Sequence, residues 1–433
     1  MKRFVFSMSL FGLAGVNTAG AVTLEEAVSA AEERSSLVGV SQQQRIQASA
    51  QRSRARFSLL PSVWLDGSYT LNQREITMDT TEWLPEEFSS YIPEDIEPTV
   101  IQEKEYFSAS LRVDQSIFDA RTLPGLRAAN ETLAASEARL ARSKRLLKAQ
   151  VAQMAYQTQA SREATALAQR GVTLAQAQLD LAEARLELGG SARRDQLQAK
   201  LALSQAEREL RGSQQAENEA ELAFSQMTGF DRNVSLELSA TPALPSSLEE
   251  ALGKARSQRK DLQSTQAMEA SAFAVHQAAR WSFMPRVSAS FLTTYSENTM
   301  FSDYDTNWLG IVNAQWALWD GGHSRANKAR DQANWRMSQM ATQDASDQVV
   351  REVEGAWVGL ERVRLSLNAV EVEVELAREN LKLAEAALES GGASWMEVER
   401  ARLGMQAASM AELMERTSLR MAEVALLVAT GTY

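Results

Sequence analysis

Apolar and polar positions follow two different periods along this chain. Four short segments alternate every second residue, as strands with one dry and one wet face do. Val63, Leu65, Tyr69 and Leu71 share a face against Trp64, Asp66, Ser68 and Thr70. Phe107, Ala109, Leu111 and Val113 oppose Ser108, Ser110, Arg112 and Asp114. Val287, Ala289, Phe291 and Tyr295 oppose Ser288, Ser290 and Thr294. The fourth segment is mixed: Trp308, Val312 and Ala314 share a face, and Leu309 and Ile311 intrude on the polar one. Two longer segments repeat every seventh residue instead. Leu126, Leu133, Leu140, Leu147 and Met154 are followed, after a phase break, by Leu167, Leu174, Leu181 and Leu188. Val353, Leu360, Leu367, Val374, Leu381 and Leu388 repeat the spacing later. Sustained heptads predict long helices with coiled-coil packing.

The order of these elements occurs twice, in a repeat of roughly 200 residues that is too long for an ordinary solenoid unit. Thr23-Leu-Glu-Glu-Ala27 matches Ser247-Leu-Glu-Glu-Ala251, and Leu60-Pro61 matches Met284-Pro285. Phe118-Asp119 matches Trp319-Asp320, Gly189-Gly190 matches Gly391-Gly392, and Thr228-Gly229 matches Thr430-Gly431. The predicted first repeat covers 22–240, with an opening helix, a hairpin at 62–115, a long helix at 121–187 and a helix at 192–228. The second covers 241–433, with its hairpin at 286–316, long helix at 323–389 and last helix at 394–428. Thr23 with Glu26 and Ser247 with Glu250 predict a capping box at the head of each repeat. The first hairpin carries an acidic insertion that includes Glu75, Glu86, Glu94 and Glu103, read as a solvated loop.

Lys2 and Arg3, the apolar run from Phe4 to Val16 and Ala19-Gly20-Ala21 read as a secretory signal over 1–21. No later run approaches the roughly 18 apolar residues of a spanning helix. A helix of the length predicted for 121–187 would measure about 100 Å and must stand in water. Each strand matches the roughly 9–11 residues that cross a bilayer at a tilt. Four strands cannot close on themselves, and an open edge in lipid leaves backbone groups unpaired, so strands must be pooled between chains. Phe118, Trp281, Phe283, Trp316 and Trp319 gather at one end of the strands, where an interfacial aromatic girdle would sit.

Composition removes other chemistries. There is no cysteine, which excludes disulfides, thiolate metal sites and a lipidated N-terminal cysteine. A formal charge of −11 argues against nucleic acid. His276 and His323 stand alone, with no metal-ligand spacing around them. Met405, Met410, Met414 and Met421 form a helical stripe that reads as core packing rather than a thioether metal path. No Gly-rich phosphate loop and no Ser/His/Asp set occurs, so neither a cofactor nor an enzyme activity is expected.

The duplicated strand ends Phe118-Asp119 and Trp319-Asp320-Gly321-Gly322, the Gly-Gly turns and the helix-strand-strand-helix-helix order resemble the TolC-like outer-membrane efflux proteins over essentially the whole mature chain. That resemblance implies a mainly α fold with a transmembrane β part: a homotrimer with a 12-stranded β-barrel above a coiled-coil α-barrel. It implies an outer-membrane location with helices in the periplasm. The expected role is a passive exit duct for a tripartite efflux or type I secretion system, whose partners are a periplasmic adaptor and an inner-membrane pump. A structural coiled-coil envelope protein is the alternative. The turns Leu188-Gly189-Gly190-Ser191 and Ser390-Gly391-Gly392-Ala393 would be the adaptor-docking tips. Asp195 and Glu397 hold equivalent places beyond them and are candidate entrance-ring carboxylates. Here the sequence departs from the family pattern: Arg400 stands where a second acidic ring is expected, and Leu388 where a tyrosine is. Ser394 with Glu397 also reads as a capping box.

Overall fold

The computed structural model describes residues 21–78, 99–188, 193–238, 242–298 and 304–433. The expected signal segment up to residue 20, the acidic stretch 79–98 and the turn Gly189-Gly190-Ser191 lie outside them. In chain order the elements are β1 (Val22–Thr23), α1 (Leu24–Arg34), α2 (Ser36–Phe57), β2 (Ser62–Leu71), β3 (Ile76–Met78), β4 (Thr99–Gln102) and β5 (Glu105–Phe118). Then come α3 (Thr122–Glu187), α4 (Arg193–Thr228), β6 (Leu236–Glu237), α5 (Leu248–Gln258) and α6 (Lys260–Arg280). The chain ends with β7 (Arg286–Ser296), β8 (Thr306–Gln315), α7 (His323–Glu389) and α8 (Trp395–Thr430). No described helix is long and apolar enough to cross a membrane.

The chain forms two units. The first comprises Met1–Gln43, Ala138–Gln263 and Asp344–Tyr433, and among its described residues the one pair of strands is the parallel β1–β6, in which Val22 lies opposite Leu236. Its two main cores are counterparts. Ala27 and Ala31 of α1 pack with Leu147, Val151, Ala155 and Phe224. Ala251 and Ala255 of α5 pack with Leu262, Val349, Val353 and Ala429. The matched Leu-Glu-Glu-Ala segments thus deliver equivalent alanines to equivalent cores. Burying Phe224, 2% exposed, contributes about 1.5–3 kcal/mol.

The expected single opening helix of each repeat is two helices. α1 stops at Ser35 and α5 at Arg259; both cap residues are extended, and each donates its backbone N–H to a carbonyl of the helix it ends. The capping boxes also differ. Thr23 and Glu26 bond reciprocally, at 2.9 and 3.3 Å. In the second repeat Ser247 Oγ accepts from Glu250 N at 3.2 Å, but the Glu250 carboxylate turns to Ser246 and to Lys254, 2.7 Å away. That corrects the expected second box to half a box.

The heptad reading is also refined. Val353, Leu360 and Val374 are buried, as is Leu147. Leu174, Leu181 and Leu188 instead face outward, and the buried heptad beside them is Ala168, Ala175 and Ala182. Alanine lets neighbouring helix backbones approach closely, so the seam of this part of α3 lies one residue along from the leucine stripe.

The second unit, Gln44–Glu137 and Ser264–Gln343, is built around an antiparallel sheet in the order β2-β5-β7-β8. The central strands β5 and β7 come from different repeats. Ser264 and Ser271 of α6 donate to carbonyls of Ala135 and Ala128, each at 3.0 Å, which fastens α6 along the first turns of α3. Part of the acidic insertion is ordered: β3 pairs with β4.

Candidate channel wall and entrance

Register decides which side chains share a face of the sheet. Val63 lies opposite Val113, Leu65 opposite Leu111 and Tyr69 opposite Phe107. Val113 in turn faces Phe291, and Ala109 faces Tyr295. Phe291 faces Gly310, and Ala289 faces Val312. One face is therefore apolar across all four strands. The other carries Asp66, Ser68, Ser108, Ser110, Arg112, Asp114, Ser288, Ser290 and Asn313. On that polar face Leu292 and Leu309 lie directly opposite each other and Ile311 faces Ser290, so the fourth strand's intrusion is a local apolar patch.

Two levels of aromatic side chains mark the sheet. The helix-proximal level holds the five expected residues, all exposed: Phe118 ends β5, Trp281 and Phe283 lie between α6 and β7, and Trp316 and Trp319 follow β8. Trp316 Nε1 donates to the Phe283 carbonyl at 2.9 Å, bringing two of them together. The far level was not singled out in the sequence. It consists of Tyr69, Phe107 and Tyr295, with Phe107 and Tyr295 rings 6.5 Å apart. Phe107 to Phe118 is about 36 Å along a strand, or about 25 Å in height at a 45° tilt, the thickness of a lipid-facing apolar band. What hid this level was that its members also fit the simple apolar alternation.

The duplicated aspartates act at the strand-to-helix corners. Asp119 accepts from Arg121 N at 2.9 Å and Arg121 Nη2 at 2.6 Å. Asp320 accepts from Gly322 N at 3.0 Å and Ser324 N at 2.7 Å, with Gly321 and Gly322 both at positive φ. The Arg121 bonds hold the Asp119 carboxyl below its usual value, and those from Ser324 do the same for Asp320. The repeated aromatic-Asp signature thus turns each hairpin into its long helix.

At the other end of the helices, α7 closes on a tight turn. Gly391 has φ +77°, the left-handed conformation suited to a residue just past a helix end. Gly392 N and Ala393 N both donate to the Ala387 carbonyl, at 2.8 and 3.2 Å, and Ser390 Oγ donates to Ala386 and Ala387. A Cβ on Gly392 would make only ordinary contact, so the conformational demand lies on Gly391. In the other turn only Leu188 is described; it is 87% exposed.

The entrance candidates are placed one by one. Glu397 lies in the first turn of α8, where its carboxylate accepts from Ser394 N at 2.6 Å and Ser394 Oγ at 3.0 Å. These bonds, with a smaller contribution from Arg400, hold it below its usual value. Asp195 sits in the first turn of α4, with Arg194 Nε 3.9 Å away. Arg400 is exposed. Among the described residues no cluster of three or more His, Asp or Glu could hold a metal.

A four-stranded sheet with one dry and one wet face, continuing into helices of 66 and 67 residues, is the class of architecture the sequence led to. The match to known proteins makes this specific. The family model described as outer membrane efflux protein matches residues 27–230 and 251–432, so the chain belongs to the outer membrane efflux protein family. Outer membrane protein OprJ of Pseudomonas aeruginosa is 31% identical over 117 residues, which is 26% of this chain and 24% of that protein. This chain therefore matches about a quarter of the length of that curated relative. The fold is that of CusC, a protein that forms a transmembrane channel: TM-score 0.77 at 18% identity, over 95% of this chain and 92% of that one. It is equally that of the outer membrane protein VceC of Vibrio cholerae: TM-score 0.75 at 18% identity, over 94% and 96%. Family membership makes this chain an outer membrane efflux protein, and its fold is the one seen in these solved outer-membrane channel proteins.

Proposed function

We propose that three copies of this chain pool their strands into one barrel and serve as the passive exit duct of a tripartite export system. The observation that carries this reading is the sheet's two open edges. β2 pairs only with β5 and β8 only with β7 among the described residues, and every residue of β8 is exposed. In lipid those backbone groups must find partners. Each edge strand of one copy would pair with the opposite edge strand of the next, and three copies of four strands make a barrel of twelve. The apolar face would meet lipid between the two aromatic levels, and the polar face would line the bore. The exposed stripe Val358, Leu365 and Val372 on α7 keeps heptad spacing and offers a second contact between copies. Energy for export comes from an inner-membrane pump. The turns at Leu188-Gly189-Gly190-Ser191 and Ser390-Gly391-Gly392-Ala393 meet its periplasmic adaptor.

The test is the oligomer's mass in native-lipid discs together with conductance in planar bilayers. A conducting trimer is expected; a non-conducting monomer would favour the envelope-scaffold alternative. The same recording tests the entrance ring. Glu397→Gln removes the charge while keeping an acceptor for Ser394, so cation preference and block by multivalent cations should fall. Unchanged selectivity would reduce Glu397 to a helix cap.

A further inference from the structure

Within the first unit, α3, α4 and α8 line a half-open pocket of about 250 Å³ whose lining includes Gln178, Gln198, Trp395, Glu399 and Arg400. A second pocket, of about 180 Å³, shares Gln178 and Glu399 with it. Gln178 is only 5% exposed. Two side-chain oxygens here are sealed from solvent and accept no hydrogen bond: Gln198 Oε1 and Glu399 Oε2. As placed, both are acceptors without a donor. Leaving such groups unpaired costs about 1–3 kcal/mol each.

From this geometry we propose that Glu399 is a proton-binding site that strengthens the packing of α8 against α3 and α4 as the surroundings acidify. A proton on Glu399 neutralises its half-buried carboxyl and turns the orphan Oε2 into a donor, for which Gln198 Oε1, lining the same pocket, is the acceptor assigned by the proposal. The groups around it fit this role. The charged and polar groups lining the two pockets with it are Arg400 and Arg402 of α8, Arg170 and Gln178 of α3 and Glu209 of α4, and of these Arg402 and Gln178 act on it. Arg402, the nearest cation by its influence, is held by Glu385 of α7 at 3.0 Å, and Glu209 by Gln406 at 3.1 Å. Burial is the largest influence on Glu399 and raises its carboxyl above the ordinary value; the Arg402 charge and the Gln178 hydrogen bond oppose it and are outweighed. A carboxyl raised on folding favours the packed state fully below its ordinary value. That contribution falls away as pH climbs from there through the raised value. The inference does not depend on the duct reading, because it concerns packing within one chain.

The experiment is hydrogen exchange on the full protein in lipid discs from pH 7.5 to 5, corrected for intrinsic exchange rates. Protection of peptides around Gln198 and Glu399 should rise on acidification, by about tenfold for each unit that the carboxyl is raised. The midpoint should lie above the ordinary carboxylate range. Glu399→Gln, an isosteric neutral mimic, should show the high protection at every pH. Gln198→Leu should blunt the acid gain. Two results would overturn the proposal. One is an acid gain in Glu399→Gln as large as in the wild type. The other is a Glu399→Gln variant that loses protection at neutral pH, which would mean that ionised Glu399 is already served by a donor. Should that variant fail to assemble, the wild-type midpoint decides alone, and a value within the ordinary carboxylate range sinks the proposal.

Discussion

The two repeats make the same corner with different chemistry. In the first, α1 breaks at Ser35, whose hydroxyl accepts from Val38 N at 3.4 Å, and Ser41 and Ser143 bond at 2.9 Å close by. In the second, α5 breaks at Arg259, which is buried and paired with both Asp261 and Glu352. Arg142 adds a further contact to Asp261, at 3.7 Å. Each corner also lies against the glycine that ends its repeat's last helix: Arg34 reaches Gly229, and the Arg259 backbone abuts Gly431, both glycines at positive φ. A duplicated fold therefore keeps the backbone event and the glycine, while the side chains that stabilise them diverge from neutral hydroxyls to a buried ion cluster.

The sharpest way to break this comparison is Arg259→Ala. It takes the buried Arg259 partner from Asp261 and Glu352, which are partly exposed and keep Arg142 and Gln348, and should cost about 1.5–3 kcal/mol, whereas Ser35→Ala should cost under about 1 kcal/mol. Thermal unfolding followed by circular dichroism distinguishes them, and similar losses would mean the ion cluster does not stabilise the second corner. Burial pushes the Asp261 carboxyl up, but Arg259 and Arg142 outweigh it and hold it below its usual value. The cluster's contribution is therefore present above the ordinary aspartate range and is lost as pH falls through the depressed value.

The hairpins offer the next contrast. Leu65→Lys puts a charge on the apolar face of the first hairpin and should weaken membrane folding by about 2–4 kcal/mol. Leu309→Lys, on the polar face of the second, should fold nearly normally. Urea titration in lipid vesicles measures both, and equal losses would refute the assignment of faces.

A smaller effect separates the glycines. An added methyl on either must adopt a left-handed backbone, at about 1–2 kcal/mol. At Gly229 it meets the movable Arg34 guanidinium, but at Gly431 it presses within 3.2 Å of the Arg259 backbone. Gly431→Ala should therefore unfold at a lower temperature than Gly229→Ala.

The smallest concerns the helix heads. Lys254, and then Ser246, draw the Glu250 carboxyl down to about 2. Its grip on the head of α5 should persist at neutral pH and slacken only as pH falls from the ordinary glutamate value toward about 2. Amide exchange at the start of α5 should show this in the wild type and not in Glu250→Gln.

Much of this protein is written in its local pattern. Alternation every second residue set which side chains share a face of the sheet, because successive side chains of a strand point to opposite sides whatever the strand pairs with. Long heptads gave long helices for the same kind of local reason, and the repeated landmarks exposed the duplication. Much else was illegible. The order β2-β5-β7-β8, with β5 beside β7, depends on contacts between residues far apart in sequence. So does the choice of alanine over leucine as the buried seam in α3, since both recur every seven residues and only the approach of neighbouring helices selects one. Nothing in the composition marks Arg259 among the many charged residues as buried, or Glu399 as the one whose Oε2 is shielded from water. Local periodicity determines what an element is and which face is dry. Which dry face meets which, and which charge is closed off from water, was decided by the tertiary structure, because burial is a property of the neighbours that packing brings together.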